Sequence, residues 1–395
     1  MSMMTRTGLE VLLDDPPAVL AGKRIGLVMN QASVDRQLRL ACDLIDERFP
    51  GQLTCLFSPQ HGIWGEQQAN MIESDDCVYE RLEIPVYSLY SATRRPSSDM
   101  LNRVDCVLVD LQDVGTRVYT FVWTLLEVLR ACGEAGKPVV VLDRPNPLGG
   151  QVVEGPLLEP SFTSFVGGAC IPLRHGCTLA ELAALMNAEF DLRVELHTIA
   201  MQGWSREMWF QQTGLPWLWP SPNMPTTATA CVYPGQVLLE GVNLSEGRGT
   251  TRPFEVVGAP FVDAELWLQA LGTFELPGVR LLATRFQPTF DKWARQSCQG
   301  VDIQVTDPTR FRSVAMTVAM IATAAKLFSE FRWLDPPYEY ETVKMPIDIL
   351  FGSDQLRLTV EEFVRGNLQE RELLSQLLDR DQSTWWNRIR RFQLY

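Results

Sequence analysis

The sequence predicts an α/β protein built on a mostly parallel sheet with helices on both faces. Three observations carry this. Short, continuously apolar runs such as DCVLVDL (105–111) and PVVVL (138–142) have the composition of strands buried on both faces. They alternate with stretches of helical period, as in 120–135, where Val122, Leu125, Leu126 and Leu129 share one face. Four polar stretches stand out: SPQHGIWG (58–65), DLQDVGTRVYT (110–120), VLDRPNP (141–147) and NLSEGRGTT (243–251). Three of them follow an apolar strand-like run, and loops at strand ends are where α/β folds assemble their sites.

The elements are expected in this order. Lys23–Met29 is a first strand, followed by the polar pair Asn30 and Gln31. Residues 34–49 have helical period, with Leu38, Ala41, Leu44 and Ile45 on one face. Leu53–Phe57, Pro85–Tyr90, Asp105–Leu111 and Pro138–Leu142 are the next four strands. Thr178–Phe190 is a helix whose N-cap, Thr178, has Glu181 three residues on, the spacing of a capping box. Val194–Ile199 follows as a strand. The segment 203–226 is rich in Trp, Pro and Gly and reads as an ordered loop that walls the site and leads into a second unit. Beyond residue 231 the pattern predicts a helix in 261–272, a strand and loop in 278–290, a strand in 301–307, a helix over 313–331 and short helices at the end. There is no internal repeat.

At 395 residues the chain is long enough for two domains, or one domain with a substantial addition. Its 46% apolar and 21% charged residues fit a globular protein. The net charge of −13 repels phosphate-rich partners, so no nucleic-acid partner is expected. The exception is Arg388, Arg390 and Arg391 beside Trp385 and Trp386, which reads as a solvated last helix. The nine cysteines include no CxxC pair and read as reduced core thiols. The N-terminal residues lack the apolar stretch of a signal peptide, and no run reaches transmembrane length. The expectation is a cytoplasmic protein without stable membrane insertion.

The candidate site residues cluster in the polar loops. His61, one of three histidines, lies just past a strand, where an imidazole can orient a hydroxyl or move a proton. Glu66 reads as a site carboxylate or as a first-turn helix residue. Gln112, Asp113, Arg117 and Tyr119 follow a buried strand; Arg117 can hold a carboxylate bidentately or merely fix the loop through Asp113. Asp143, Arg144 and Asn146 repeat that chemistry between Pro145 and Pro147. Glu154 follows two valines that could desolvate it, as a general acid requires, or it is a structural acceptor. Arg174 and His175 precede the Thr178 helix. Asn223 lies in a proline-flanked turn, and Glu246 and Arg248 lie in a segment with no apolar face to bury. No GxGxxG follows the first strand, and GxxxxGK[ST], GxSxG and HExxH are absent. No metal set is evident. Carboxylates, guanidinium groups, amides and exposed aromatics are the inventory for a carbohydrate that carries a carboxylate.

The chain resembles the exo-β-N-acetylmuramidase family of peptidoglycan recycling. The likeness runs from GKRIGLVMNQAS (22–33) to PYEYE (337–341). It is carried by LVDLQDVGTRVYT, VVLDRPNPLGG, VEGPLLEPSFTSFVG, PLRHGCTLAEL, PSPNMPT, YPGQVLLEGVNLSEGRGTTRPFE and PIDILFGSD. The resemblance implies a Rossmann-like N-terminal domain over 1–225, a smaller α+β C-terminal domain over 226–395, and an active-site cleft between them. It implies release of terminal N-acetylmuramic acid from a glycan or muropeptide fragment, with no cofactor. The sugar's lactyl carboxylate would be held by an arginine such as Arg117, Arg144 or Arg174. One departure bears on catalysis. The family's Pro-Glu-His-Gly, whose glutamate is regarded as catalytic, is here Pro59-Gln60-His61-Gly62. An amide neither donates a proton as an acid nor accepts one as a base at neutral pH. Two readings follow. An active hydrolase would draw on other carboxylates, Glu66 and Glu154 first, and should show two carboxylates facing the pocket beside His61. A silent or repurposed sugar-binding relative should show an intact pocket, with Gln60 where the acid would stand and no replacement. The completeness of the other motifs favours the enzyme.

Overall fold

The computed structural model describes residues 4–68, 72–379 and 381–395. Twelve strands are described: β1 (Ile25–Val28), β2 (Leu53–Ser58), β3 (Cys77–Tyr79), β4 (Ile84–Ser88), β5 (Cys106–Val109), β6 (Val139–Leu142), β7 (Glu154–Leu157), β8 (Pro172–Arg174), β9 (Leu196–Ile199), β10 (Val256–Ala259), β11 (Val279–Phe286) and β12 (Cys298–Val305). The helices of the first half are α1 (Gly8–Asp14), α2 (Ala41–Arg48), α3 (Ser98–Leu101), α4 (Phe121–Ala135) and α5 (Leu179–Glu189). Those of the second are α6 (Thr227–Gln236), α7 (Ala264–Leu271), α8 (Ser313–Leu327), α9 (Pro346–Phe351), α10 (Gln355–Val364), α11 (Glu370–Leu378) and α12 (Ser383–Ile389).

The main sheet has the order β3-β4-β2-β1-β5-β6-β9 among the described residues. All neighbours pair in parallel except the edge strand β3. Strand alternation divides the core into two layers. Ile25, Leu27, Leu56, Cys106, Leu108 and Val140 lie in one cluster with Leu9 and Leu12 of α1 and Leu44 and Ile45 of α2. Val28, Phe57, Val107, Val109, Val139 and Val141 lie in the other with Leu125 and Leu129 of α4 and Leu182 and Met186 of α5. Helices therefore cover both faces, as the continuous apolar strands require. The capping box of α5 is present: Thr178 Oγ1 accepts from Glu181 N, and Thr178 N donates to Glu181 Oε2 at 3.0 Å.

Strand order reverses between β1 and β5, the position where ligands lie in open α/β sheets. Here the 203–226 segment crosses that crevice. Asn30 Nδ2 donates to Pro220 O and Gln31 Nε2 to Trp219 O, each at 2.8 Å. The smaller C-terminal part carries an antiparallel sheet, β10-β12-β11, flanked by helices. Helix α6 meets α8 closely at Gly235, where a Cβ would sit 2.1 Å from Ser313 O. Gly235 N donates to Ser313 Oγ at 2.8 Å and Gln236 Nε2 to Thr317 Oγ1 at 2.6 Å.

Three features depart from the pattern in the sequence. The helix expected over 34–49 begins only at Ala41. Asp35 Oδ1 accepts from Gln37 N and Arg39 N, giving the backbone a local turn instead of a helical ladder. Leu38 takes φ 63° there and is exposed. Strand β3 was not expected: only three residues pair, and Cys77 and Val78 face outward. Helix α6 was not expected either, since Pro234 lies inside it.

Candidate active site

A cleft opens at the carboxyl ends of β2 and β5. Gln60, His61, Tyr119, Thr120, Ser221 and Asn223 come from segments before α6. Tyr233, Glu240, Arg248, Phe254, Tyr338 and Glu339 come from α6 and beyond.

The loop after β2 brings in Gln60 and His61. His61 adopts φ 76° and Gly62 φ 81°. A left-handed conformation at a residue with a Cβ costs on the order of 1–2 kcal/mol, so the loop is held by its neighbours. His61 Nδ1 lies 2.6 Å from Gln67 O, to which it donates. Burial lowers the imidazole to about 4; the Gln67 hydrogen bond opposes this and the Arg248 cation adds to it. At neutral pH His61 is uncharged, and Nε2 is left as an acceptor. Gln60 Oε1 accepts from Thr120 Oγ1 at 2.7 Å. Thr120 precedes α4 and makes no cap bond to it, which leaves its hydroxyl for Gln60.

The opposite wall begins with α6, which passes into a short 3-10 turn, Val237–Gly241. That turn carries Glu240. Arg248 Nη2 donates to Glu240 Oε1 and Tyr338 Oη to Glu240 Oε2, both at 2.6 Å. Arg248 Nη1 also lies 3.7 Å from Glu246 Oε1, and Lys292 Nζ lies 2.7 Å from Glu246 Oε2. The Lys292 ammonium is fixed by the carbonyls of Leu239, Val242 and Leu244. Burial raises Glu240, countered by Arg248. Burial also acts to raise Glu246, but Lys292 and Arg248 outweigh it and hold its carboxyl below the usual range.

Glu339 faces the same cleft, with φ 43°. Its Oε2 accepts from Tyr90 Oη at 3.2 Å. Burial, reinforced by Glu240, raises this carboxyl to about 7. Two carboxylates therefore share one cleft under different conditions: Glu240 against a guanidinium, Glu339 against a neutral phenol. Environments that separate two carboxyl groups in this way are the arrangement of acid–base chemistry. Aromatic packing builds the floor. Tyr233 meets Tyr119 and Phe254 edge-on, with centroids 6.0 and 4.9 Å apart, and the Arg248 guanidinium lies 5.1 Å from the Phe254 ring centre.

Comparison with known proteins identifies the relationship. The model of the N-terminal part of exo-β-N-acetylmuramidase NamZ matches residues 25–228, and that of its C-terminal part matches 231–395. The chain belongs to the NamZ exo-β-N-acetylmuramidase family. The peptidoglycan β-N-acetylmuramidase NamZ of Bacillus subtilis (strain 168) is 46% identical over 325 residues, covering 82% of this chain and 78% of the relative. Crystal structures of two DUF1343 family proteins from Bacteroides fragilis NCTC 9343 are also similar. One has a TM-score of 0.87 at 30% identity, covering 99% of both chains. The other has a TM-score of 0.76 at 25% identity, covering 100% of this chain and 99% of its own.

Against this NamZ-family fold, the residues singled out in the sequence fall into two groups. Gln60, His61, Tyr119, Asn223 and Arg248 line the cleft. Glu246 stands behind Arg248. The others do not line it. Arg117 is wholly buried and donates to the carbonyls of Pro156, Ile171, Leu350 and Phe351 at 2.8–3.1 Å. Arg144 is paired bidentately with Asp110. Arg174 pairs with Glu154 at 2.7 Å, and the second Glu154 oxygen accepts from Val314 N. These three guanidinium groups, expected to meet the substrate carboxylate, are spent on buried internal acceptors, and Glu154 with them. Glu66 is exposed on the surface of its loop. Gln112, Asp113, Asp143, Asn146 and His175 bond to one another's loops. Gln112 donates to Pro145 O, Asn146 to Cys177 O, and Ala180 N to Asp143 Oδ1. Gly115 N donates to Asp113 Oδ2, and His175 Nε2 lies 3.4 Å from that oxygen. Asn30 is tied to Pro220.

The sequence reading missed Glu240 and Glu339. Glu240 did carry a signal: a carboxylate within the apolar run VLLEGV is placed where solvent cannot satisfy it, so it needs a partner or a task. Glu339, in PYEYE, sits in too short a segment to show a period. Among the described residues no cluster of His, Cys, Asp and Glu could hold a metal ion, and no helix is long and apolar enough to cross a membrane.

Proposed function

We propose that this chain is a glycoside hydrolase that removes terminal N-acetylmuramic acid from peptidoglycan fragments. It works as two units, about 1–225 and 226–395, with the reaction in the cleft between them. The observation that carries this reading is the pair Glu240 and Glu339 facing one cleft beside His61. Glycosidic bond cleavage most often uses two carboxyl groups with separate tasks, and these two have different partners. Membership in the NamZ family and the activity named for the Bacillus subtilis relative support the choice of sugar. Among the described residues Arg248 is the guanidinium that lines the cleft; it pairs there with Glu240, and it is the group we assign to the lactyl carboxylate.

Gln60 favours a second reading, a sugar-binding relative without catalysis, because an amide stands where the family's glutamate is expected. The two separate in one assay. The hydrolase reading expects free N-acetylmuramic acid from the disaccharide N-acetylmuramyl-β-1,4-N-acetylglucosamine. It expects none from the disaccharide of reversed order, whose terminal sugar lacks the lactyl group. Binding of the first disaccharide without cleavage would establish the second reading.

A further inference from the structure

We infer that Glu339 is the general acid that protonates the departing glycosidic oxygen, and that the residue at position 60 is a positioning group. This rests on the hydrolase reading above. The two cleft carboxyl groups are not equivalent in their contacts. Both oxygens of Glu240 receive donors, the Arg248 guanidinium on one and the Tyr338 hydroxyl on the other. Donors on both oxygens favour the anion. Glu339 receives the neutral Tyr90 hydroxyl on Oε2 and forms no salt bridge among the described residues. Two carboxylates in one buried cleft do not both ionise readily, and the proton stays on the one that forms no salt bridge. Gln60 cannot take the role. Its Oε1 is held by Thr120, and an amide has no proton to give at neutral pH.

The Glu339 proton passes to the glycosidic oxygen while the bond from C1 to that oxygen breaks, its electron pair leaving with the oxygen. A water oxygen bonds to C1, and the water proton passes to the Glu240 carboxylate. Solvent exchange then returns a proton to Glu339 and removes one from Glu240. The charged and titratable groups facing Glu339 are Tyr90 after β4, Arg94 in the next loop, Tyr233 in α6, Glu240 in the 3-10 turn, Arg248 in the 243–251 loop and the adjoining Tyr338. Burial and Glu240 raise its carboxyl to about 7, so activity should fall as pH rises through that region.

The test compares two substrates and two variants. One substrate is the muramyl-glucosamine disaccharide, whose leaving oxygen needs a proton. The other is the 4-nitrophenyl β-glycoside of N-acetylmuramic acid, whose leaving group departs without one. Glu339→Gln should lower kcat on the disaccharide by about 10²–10⁴ and on the nitrophenyl glycoside by less than about tenfold. Tyr90→Phe removes a hydrogen bond that favours the Glu339 anion. It should move the basic limb of kcat/KM on the disaccharide to higher pH. Equal losses on both substrates in Glu339→Gln, or a basic limb unmoved in Tyr90→Phe, would overturn the assignment while the hydrolase reading stands. If the wild type cleaves neither substrate, the hydrolase reading fails and this inference fails with it.

Discussion

Replacing Arg117 with leucine should unfold the protein far more readily without disturbing its cleft. Arg117 is completely buried, and burial lowers its guanidinium to about 9, so it is still charged at pH 7. Its donors hold Pro156 and Ile171 on one side and Leu350 and Phe351 on the other. Leucine removes the donor from four buried carbonyl groups, of which Ile171 O keeps Leu158 N at 3.2 Å. At roughly 1–3 kcal/mol for each of the other three, the gross loss is about 3–9 kcal/mol. Removing the cation also removes its own desolvation penalty, several kcal/mol. The net loss should be about 2–4 kcal/mol, the size expected when a buried hydrogen-bond network is broken. Urea unfolding at pH 7 measures it. Arg117→Lys keeps the charge but lacks the planar fork that reaches separated carbonyls, so its loss should be smaller. KM of the folded Arg117→Leu fraction should match the wild type, since Arg117 does not line the cleft. A loss below about 1 kcal/mol would refute the structural role, and a large rise in KM at little stability cost would restore the substrate-binding one.

Gln60→Glu should change disaccharide cleavage by less than about tenfold, against the 10²–10⁴ that a newly supplied general acid would give; a gain of that larger size would mean position 60 is the vacant acid site. Glu240→Gln should cut turnover of both the disaccharide and the nitrophenyl glycoside by comparable factors, because it removes the proton acceptor rather than the donor; retention of either activity would remove Glu240 from the reaction. Asp143 provides a pH test of stability. Burial raises its carboxyl from 3.8 to about 7, although Thr178, Ala180 and Tyr395 donate to it. The folded state thus keeps a proton that the unfolded chain has already lost. The contribution is full below about pH 4 and is lost as pH rises through 7. Unfolding free energy should decline from pH 4 to pH 8 less steeply in Asp143→Asn than in the wild type, and equal slopes would contradict the assignment.

The parts of the fold legible in the sequence are those fixed by local chemistry. DCVLVDL is apolar on both sides and becomes a central strand, and Thr178 with Glu181 forms the capping box that their spacing predicts. Where a side chain overrides period, the pattern misleads: Asp35 draws the 34–40 backbone into a turn although its apolar residues are spaced for a helix. The lining of the cleft was legible only where loops meet it directly, as at Gln60, His61, Asn223 and Arg248. The error at Arg117 has a definite cause. An arginine after a strand can point outward to a ligand or inward to carbonyls, and here the deciding acceptors, Leu350 and Phe351, lie 233 and 234 residues away. Glu339 was hidden for the same reason, because its significance comes from Glu240 and Tyr90, both distant in sequence.

The most direct measurement is a crystal structure of the protein with N-acetylmuramic acid bound. The hydrolase reading predicts the sugar in the cleft with its lactyl carboxylate at Arg248. The anomeric C1–O1 should lie between Glu240 and Glu339, with a Glu339 oxygen within about 3 Å of O1. Sugar bound elsewhere, or in the cleft with O1 beyond the reach of both carboxyl groups, would contradict it.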